Sequence, residues 1–257
     1  MTKETVVSVK KLKTKYRVET TENKYSFTED TIIKYSIFMG RVFEENELDA
    51  ILAEEEFNVL TNRAINYLSY QPRSENEVRK YLLEKDATEE LADKIIKRIK
   101  NLGYLDDEML ANSMLDYVIR NLKGPNVLRQ KLTQKKLDED LINKTIYKYT
   151  ELQEEEVIDD LLRKIVERYK KNPKNKQKVL IYQKLIRDGF SSELVNYKLN
   201  KLEFVDESDE RLIKDLKKLI RRVDEFNYEA RSKIISKLMA RGYEYNKILN
   251  ALNNLEE

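Results

Sequence analysis

Residues 72–82 read Pro-Arg-Ser-Glu-Asn-Glu-Val-Arg-Lys-Tyr-Leu, a stretch that marks the boundary between two predicted helices. Ser74, followed three residues later by Glu77, is the signature of a capping box, in which the two side chains satisfy backbone N–H groups at a helix start. Pro72 cannot continue a preceding helix, and Leu82 falls on the apolar face of the new one. The stretch therefore predicts that one amphipathic helix ends near Pro72 and that another begins beside Ser74.

The same arrangement returns along the chain. Three prolines, each between two amphipathic helices, lie 53 and 48 residues apart: Pro72, Pro125 and Pro173. A leucine of the second helix recurs at intervals of 50, 53 and 53 residues: Leu82, Leu132, Leu185 and Leu238. Such a period is typical of repeat proteins, in which each unit packs mainly on its neighbours.

The helix that carries each of these leucines is predicted to end four residues beyond it. Gly189 and Gly242 stand there in the last two repeats, and glycine favours the left-handed backbone that closes a helix. Asp86 and Lys136 occupy the same place in the first two repeats, where a side chain adds strain. Polar residues that can cap a third helix follow each stop except the last, so each repeat is predicted to contain three helices.

The first 45 residues differ from the rest. Apolar and polar residues alternate around Val7, Val18 and Phe27, which predicts two or three short strands, followed by a short helix from Thr28 to Ile37. The predicted fold is therefore mainly α, an elongated array of about four tandem three-helix repeats with a small β-rich N-terminal segment. The predicted boundaries are 1–45 for the β-rich segment and 46–105, 106–153, 154–205 and 206–257 for the four repeats.

The composition excludes most catalytic chemistry. The 257 residues include no Cys and no His, which removes disulfides, thiolate zinc sites, cysteine nucleophiles and Ser-His-Asp catalysis. Neither a P-loop nor a Gly-x-Gly dinucleotide motif occurs. A carboxylate Mg²⁺ site remains chemically possible, but among 47 acidic residues pairs at helical spacing arise by chance. We therefore expect no enzymatic activity, no cofactor and no metal site.

Hydropathy and charge bear on location. No run of 18 apolar residues is present, and the N-terminal Met-Thr-Lys-Glu leads into a charged segment without the apolar stretch of a signal peptide. The 49 basic and 47 acidic residues nearly cancel, giving a net charge of +2. These features predict a cytoplasmic protein with long solvated helices and no membrane partner, and we expect it to be a monomer.

Two further stretches extend the motif at Ser74. Gly103-Tyr104-Leu105-Asp106-Asp107 combines a glycine helix stop with an Asp that caps the next helix, and Lys123-Gly124-Pro125 is a tight turn before a helix restart. In this order and spacing, the three stretches resemble the RecX family of regulatory proteins, which modulate the bacterial recombinase RecA. The departures from the family pattern affect only packing and caps: Leu110 in place of an aromatic residue, and Asp86 and Lys136 in place of glycine.

The resemblance implies a protein that acts by binding rather than by catalysis. A RecX-like protein is expected to lie along the groove of the RecA filament on single-stranded DNA. There it limits filament growth, ATP hydrolysis and strand exchange, and so regulates homologous recombination, DNA repair and the SOS response. The implied partners are RecA and its single-stranded DNA filament, with a weak direct contact to DNA in addition.

Basic residues are concentrated in two places. From Arg163 to Arg187 there are ten basic residues and one acid, Glu167, and the first helix of the last repeat carries a second cluster. Such clusters can neutralise phosphates or meet an acidic protein surface, although each can also be an ordinary solvated helix face. The candidate partner-binding residues in these clusters are Arg163, Lys164, Arg168, Lys170, Lys171, Lys174, Lys178, Lys217, Lys218, Arg221 and Arg222.

Two more candidates come from the family motifs. Arg73 lies just outside its helix, and Lys123 opens the Lys-Gly-Pro turn. Either cation could face a partner. For Arg73 the alternative is that it orients its own turn, for example against Glu75 or Asp107.

Other function classes are consistent with the same features. A stand-alone nucleic-acid-binding helical module would use the repeats as tandem helix-turn-helix units, although a pI of about 8.3 is low for that class. A helical-repeat scaffold for an unrelated partner predicts neither DNA binding nor an effect on a recombinase. A Mg²⁺-dependent phosphodiesterase would lose its turnover through one carboxylate substitution.

Overall fold

The computed structural model of the chain describes residues 3–223 and 225–256. Four strands come first: β1 Glu4–Lys11, β2 Tyr16–Thr20, β3 Lys24–Phe27 and, after one helix, β4 Val42–Phe43. The helices of the described ranges are α1 Glu29–Lys34, α2 Glu45–Ser69, α3 Glu75–Leu83, α4 Glu89–Asn101, α5 Asp107–Arg120, α6 Pro125–Gln134, α7 Glu139–Tyr147, α8 Glu151–Tyr169, α9 Lys174–Arg187, α10 Ser192–Lys201, α11 Asp209–Ile220, α12 Tyr228–Ala240 and α13 Tyr245–Glu256. The mainly α fold with an N-terminal strand segment is confirmed.

The N-terminal strands form one antiparallel sheet in the order β3-β2-β1-β4. Their buried face carries Val6, Val18 and Phe27, and it packs with Ile51 of α2 in one apolar core. The sequence predicts at most three strands, because β4 is only two residues long and shows no alternation. The sequence pattern also places the end of α1 at Ile37, whereas the helix ends at Lys34 and Ser36 has a left-handed backbone.

From α2 onward the helices follow as four groups of three: α2–α4, α5–α7, α8–α10 and α11–α13. By their contacts, the residues form two compact units, Met1–Leu110 with Gln134–Asp138, and Ala111–Thr133 with Glu139–Glu257. The predicted repeat boundaries at 105, 153 and 205 stay a prediction. The four periodic leucines (Leu82, Leu132, Leu185 and Leu238) are all fully buried, which confirms the apolar pattern that placed them.

The second helix of each group ends in the predicted left-handed residue. The φ angles are +66° at Asp86, +52° at Lys136, +94° at Gly189 and +96° at Gly242. We call this residue and the one before it the stop of each group. A side chain in this conformation costs roughly 1–2 kcal/mol relative to glycine, so the first two stops are the strained ones.

The stops make a contact that the sequence did not reveal. In the second unit, the Gly124 N–H donates to the Asp188 carbonyl at 2.7 Å, and the Asn126 N–H donates to the Gly189 carbonyl at 3.1 Å. A Cβ on Gly124 would lie 2.4 Å from the Gly189 carbonyl oxygen, so the two backbones touch where no side chain fits. The start of α6 is thereby locked onto the stop of α9.

A comparable contact between a helix start and a stop occurs at the stops of α6 and α12, and we call each such contact a joint. In the first unit, the Ser74 Oγ donates to the Lys135 carbonyl at 2.7 Å, and the Lys135 Nζ donates to both Glu77 carboxylate oxygens at 2.9 Å. In the second unit, a Cβ on Gly242 would meet Lys176 at 3.1 Å. Each joint has two sides. One side lies five to nine positions before a periodic leucine, and the other lies three or four positions after the following periodic leucine.

Replacement of Gly124 by Ala tests the joint, because the joint determines whether the substitution raises or lowers the free energy of unfolding. Gly124 does not have a positive φ, so in open space Ala would stabilise the fold by about 0.4–1 kcal/mol. Because the new Cβ meets the Gly189 backbone, we instead expect a loss of about 1–3 kcal/mol. The measurement is urea unfolding followed by far-UV circular dichroism. Wild-type or higher stability would contradict the close contact.

The Glu77–Lys135 pair predicts a pH dependence. Burial alone would raise the pKa of Glu77, but the hydrogen bonds from Lys135 and from the Ser74 backbone outweigh it and hold the pKa below its usual 4.5. The stability from this pair is therefore present above pH 4.5 and is lost as the pH falls through the lowered pKa. We expect Glu77→Gln to remove part of the acid sensitivity of thermal unfolding, whereas an unchanged profile between pH 7 and pH 3 would count against it.

Candidate partner-binding surface

The first basic cluster begins on α8. A capping box of Thr150 and Gln153 starts this helix, and its buried stripe includes Ile158, Leu162 and Ile165. The opposite side is solvated. It carries the exposed cations Arg163, Lys164 and Arg168.

These cations are not equivalent. Arg163 pairs with Asp160, and Lys170 pairs with Glu167 at 3.2 Å and with Glu207 at 3.4 Å. The hydrogen bond to Glu167 is the main reason that the pKa of Lys170 is raised. In contrast, four exposed cations have no ion pair within residues 3–223 and 225–256: Lys164, Arg168, Lys171 and Lys174.

The turn between α8 and α9 is only partly exposed. Asn172 and Pro173 are buried, while Lys171 and Lys174 on either side of them point to solvent. Lys178, one turn into α9, lies over the Phe204 ring at 5.6 Å. The turn therefore has a fixed backbone and presents its cations outward.

The second basic cluster is a stripe on α11. Leu212, Leu216 and Leu219 face the core of this group. The exposed face carries cations at helical spacing, which are Lys214, Lys217, Lys218 and Arg221, with Arg222 directly after the helix. Cations in the last turn complement the negative end of the helix dipole. In the parts of the chain that are described, none of the five forms an ion pair.

A groove of about 870 Å³ brings the two clusters together. Lys171 of the α8–α9 turn lines it together with Lys214, the first residue of the α11 stripe, and the acids Glu207, Asp209 and Glu210 also border it. We call the resulting area the basic surface and define it as Lys164, Arg168, Lys171, Lys174, Lys178, Lys214, Lys217, Lys218, Arg221 and Arg222. It is a mixed surface at the groove, and beyond the groove the exposed Glu167 lies next to Arg168.

Arg73 lies apart from the basic surface. Its guanidinium stands 3.7 Å from the centre of the Tyr67 ring, and its Nε donates to the Tyr67 carbonyl at 3.2 Å. The Tyr67 ring stacks in turn on Tyr81 at 4.1 Å. Arg73 thus orients its turn, but through Tyr67 rather than through Glu75 or Asp107.

Lys123 is held in the joint of the second unit. Its Nζ lies 2.6 Å from Asp188, a carboxylate with only 2% of its surface exposed, which also pairs with Lys184. The Lys123 carbonyl accepts a hydrogen bond from the Tyr149 hydroxyl at 2.9 Å, and burial raises the pKa of that hydroxyl. The pair with Asp188 was missed because the two residues are 65 positions apart.

The acidic pair that follows the Gly103 stop has a capping role. Asp106 accepts from the Met109 N–H at 2.9 Å, and Asp107 accepts from the Glu75 N–H at 2.9 Å. Burial raises the pKa of Asp107. Among the described residues, no three acidic side chains come together as a metal site, and no helix is long and apolar enough to cross a membrane.

Comparison with known proteins shows that the chain is similar to members of one protein family. Residues 61–98 match the model described as RecX, first three-helix domain. A regulatory protein RecX of Staphylococcus aureus strain JH9 is 32% identical over 225 residues, which is 85% of this chain and 82% of the relative. This chain belongs to the RecX family. A regulatory protein RecX of Staphylococcus haemolyticus is 30% identical over 230 residues, covering 87% and 85% of the two chains.

Solved structures of RecX proteins share the fold. A crystal structure of regulatory protein RecX has a TM-score of 0.60 and 27% identity, covering 75% of this chain and 97% of the other. A crystal structure of RecX from Lactobacillus salivarius has a TM-score of 0.53 and 27% identity, covering 58% and 99%. The resemblance that the motifs indicated is therefore confirmed for this RecX-family chain.

Alanine substitutions separate the structural cations from the exposed ones. We expect Arg73→Ala and Lys123→Ala each to lower stability by about 1–2 kcal/mol, because they remove a cation–π contact and a buried ion pair. Lys171→Ala and Lys217→Ala touch no internal partner and should stay within about 0.5 kcal/mol of wild type. Thermal unfolding of the four variants is the measurement. Equal losses in both pairs would contradict the distinction.

Proposed function

We propose that this protein is a non-enzymatic regulator that binds RecA on single-stranded DNA. In this proposal it lowers filament growth, ATP hydrolysis and strand exchange, and so regulates recombination and DNA repair in the cytoplasm. Membership of the RecX family implies the partner. The observation that carries the proposal is the basic surface, whose exposed cations form no ion pair among the described residues.

Unpaired cations are suited to an external anion. An internal ion pair must be broken before its cation can bind elsewhere, whereas Lys171 or Lys217 offers its full charge to a phosphate or a carboxylate. Each such contact is weak in water, about 1 kcal/mol at 4 Å, and several must act together. Four of the candidate cations already have partners within the chain, so we assign them a smaller contribution to partner binding: Arg163, Lys170, Arg73 and Lys123.

The acids at the groove favour a nucleoprotein partner over DNA alone. Glu207, Asp209 and Glu210 would repel a phosphate chain laid along the groove. Glu207 pairs with Lys170 and Asp209 with Lys247, so Glu210 is the one of the three that forms no ion pair among the described residues and can meet a cation of a protein.

The α11 stripe, from Lys214 to Arg221, extends roughly 10 Å. The acid in this stretch, Asp215, pairs with Arg241 at 3.0 Å, so the stripe suits phosphates or acidic side chains. A filament of RecA on DNA offers both kinds of surface, and a single chain is the proposed acting species.

The test is inhibition of DNA-dependent ATP hydrolysis by the cognate RecA. We expect the triple variant Lys171→Glu, Lys174→Glu, Lys217→Glu to need at least about tenfold more protein for half inhibition, equivalent to 1.4 kcal/mol. The matched control carries the same charge change at exposed lysines outside the basic surface: Lys94→Glu, Lys97→Glu and Lys144→Glu. It should inhibit like wild type. Circular dichroism verifies that both variants are folded.

Other outcomes assign other functions. Inhibition by the folded triple variant at wild-type concentrations would reject the basic surface. Strong, salt-sensitive binding of labelled single-stranded DNA without any effect on RecA would instead support a stand-alone nucleic-acid-binding module. No binding and no inhibition would leave a scaffold for an unrelated partner.

A further inference from the structure

A third concentration of basic residues lies on the hairpin that β1 and β2 form in the first unit. Residues 10–17 contain no acid and five cations, which are Lys10, Lys11, Lys13, Lys15 and Arg17. None of the five belongs to the basic surface. The function proposed above therefore leaves this cluster without a role.

Two of the five cations have partners within the chain. Lys11 pairs with Glu29 of α1 at 3.2 Å, and Lys15 pairs with Glu55 of α2 at 3.2 Å. Glu55 is only 7% exposed, and it also accepts hydrogen bonds from the N–H and the hydroxyl of Thr28. These ion pairs tie the hairpin to both helices, so its orientation within the unit is fixed.

In the described chain, the other three cations form no ion pair, and all are exposed: Lys10, Lys13 and Arg17. Lys10 lies directly opposite Arg17 in the register of β1 and β2, and Arg17 lies opposite Ser26 of β3. Side chains paired in this way share one face of a sheet. Because the neighbouring Val18 is buried, that face is the solvent side. Two cations and a hydroxyl thus form a row of about 10 Å across three strands.

This row is unfavourable to the free protein. Like charges directly opposite each other on neighbouring strands repel, which lowers the stability of the sheet. Glu19 lies on the same face two residues from Arg17, but it pairs with Lys24 at 3.1 Å. The hydrogen bond from Lys24 is the main reason that the pKa of Glu19 is lowered, and Arg17 is a lesser one. The row keeps its positive charge, and an anion laid across it would remove the repulsion.

We propose that this face of the hairpin binds the phosphate backbone of a single strand of DNA. We call it the hairpin face and define it as Lys10, Lys13, Arg17 and Ser26. The Arg17 guanidinium can donate two hydrogen bonds to one phosphate, Lys10 adds a point charge, and the Ser26 hydroxyl adds a further donor.

The shape of the hairpin face favours a single strand. One row of donors meets one phosphate chain, whereas a duplex presents two chains around its grooves. The row holds no aromatic ring on which a base could stack, so the contact is independent of base sequence. The inference does not rest on the proposed function, because it requires neither a recombinase nor any residue of the basic surface.

The salt dependence of DNA binding tests the hairpin face, because it reports the number of phosphates that the protein neutralises. The full chain is titrated against a labelled oligodeoxythymidine at several salt concentrations, without RecA, and binding is followed by fluorescence anisotropy. Each neutralised phosphate of a single strand contributes about 0.7 to the slope of log K against log salt. We therefore expect the variant Lys10→Gln, Lys13→Gln, Arg17→Gln to lower the slope by about 2.

The matched control removes three positive charges from exposed lysines outside both surfaces. It carries Lys94→Gln, Lys97→Gln and Lys144→Gln, and it should keep the wild-type slope. Circular dichroism verifies that both variants are folded. An unchanged slope in the hairpin variant, or an equal loss in the control, would overturn the proposal.

Two further outcomes would also overturn the assignment to single-stranded DNA. An equal loss of slope on a duplex of the same length would reject the single strand as the ligand. Loss of RecA inhibition by the hairpin variant with an unchanged DNA slope would assign the hairpin face to a protein partner. A wild type that binds the oligonucleotide as expected but leaves RecA unaffected would reject the proposed function and not the hairpin face.

Thermal unfolding of Lys10→Gln provides a second measurement. Because the substitution removes one of two opposed charges, we expect the midpoint to rise by about 1–3 °C at low salt while the affinity for the oligonucleotide falls. A lower midpoint would show that Lys10 stabilises the fold and would contradict its role as an unpaired cation held for a ligand.

Discussion

The backbone contact between Gly124 and Gly189 is the interaction on which the order of the helices in the second unit depends. Two hydrogen bonds between main-chain groups fix it, and the Lys123–Asp188 pair covers it from one side. Main-chain bonds of this kind allow one register only, because a shift by one residue would misplace every donor. The periodic leucines supply apolar burial, which is non-directional and would allow one helix to shift along another. The hydrogen bonds of the joint would not allow such a shift.

The position of the basic surface depends on the joint between the start of α9 and the stop of α12. Lys171 and Lys174 precede and open α9, whose start contacts the stop of α12 through Lys176 and Gly242. The chain between α10 and α11 adds a bond from the Gln177 side chain to the Val205 carbonyl at 2.7 Å. Arg211 of α11 also donates to Asn172 of the α8–α9 turn at 2.8 Å, so contacts beneath the exposed cations hold the two cationic segments beside one groove.

Local and periodic features could be predicted from the sequence. The capping box at Ser74, the buried leucines and the left-handed stops all follow from spacing within one helix or one repeat. The contacts of Arg73 and Lys123 could not, because they depend on residues that only the tertiary fold brings near. Strand β4 could not be predicted, because a strand of two residues shows no periodicity in the sequence. The basic clusters could be predicted from the local sequence, but the ion pairs that leave some of their cations exposed and unpaired among the described residues required the structure.

The joint also bears on how such a chain can change in length. Neighbouring groups meet through a helix start and a stop at similar distances from their leucines, so a whole group can be duplicated or deleted with few new contacts having to evolve. Genetic change in steps of one group therefore preserves folding more readily than insertions of other lengths. The number of helical groups is in this sense a heritable quantity that selection can adjust in discrete increments.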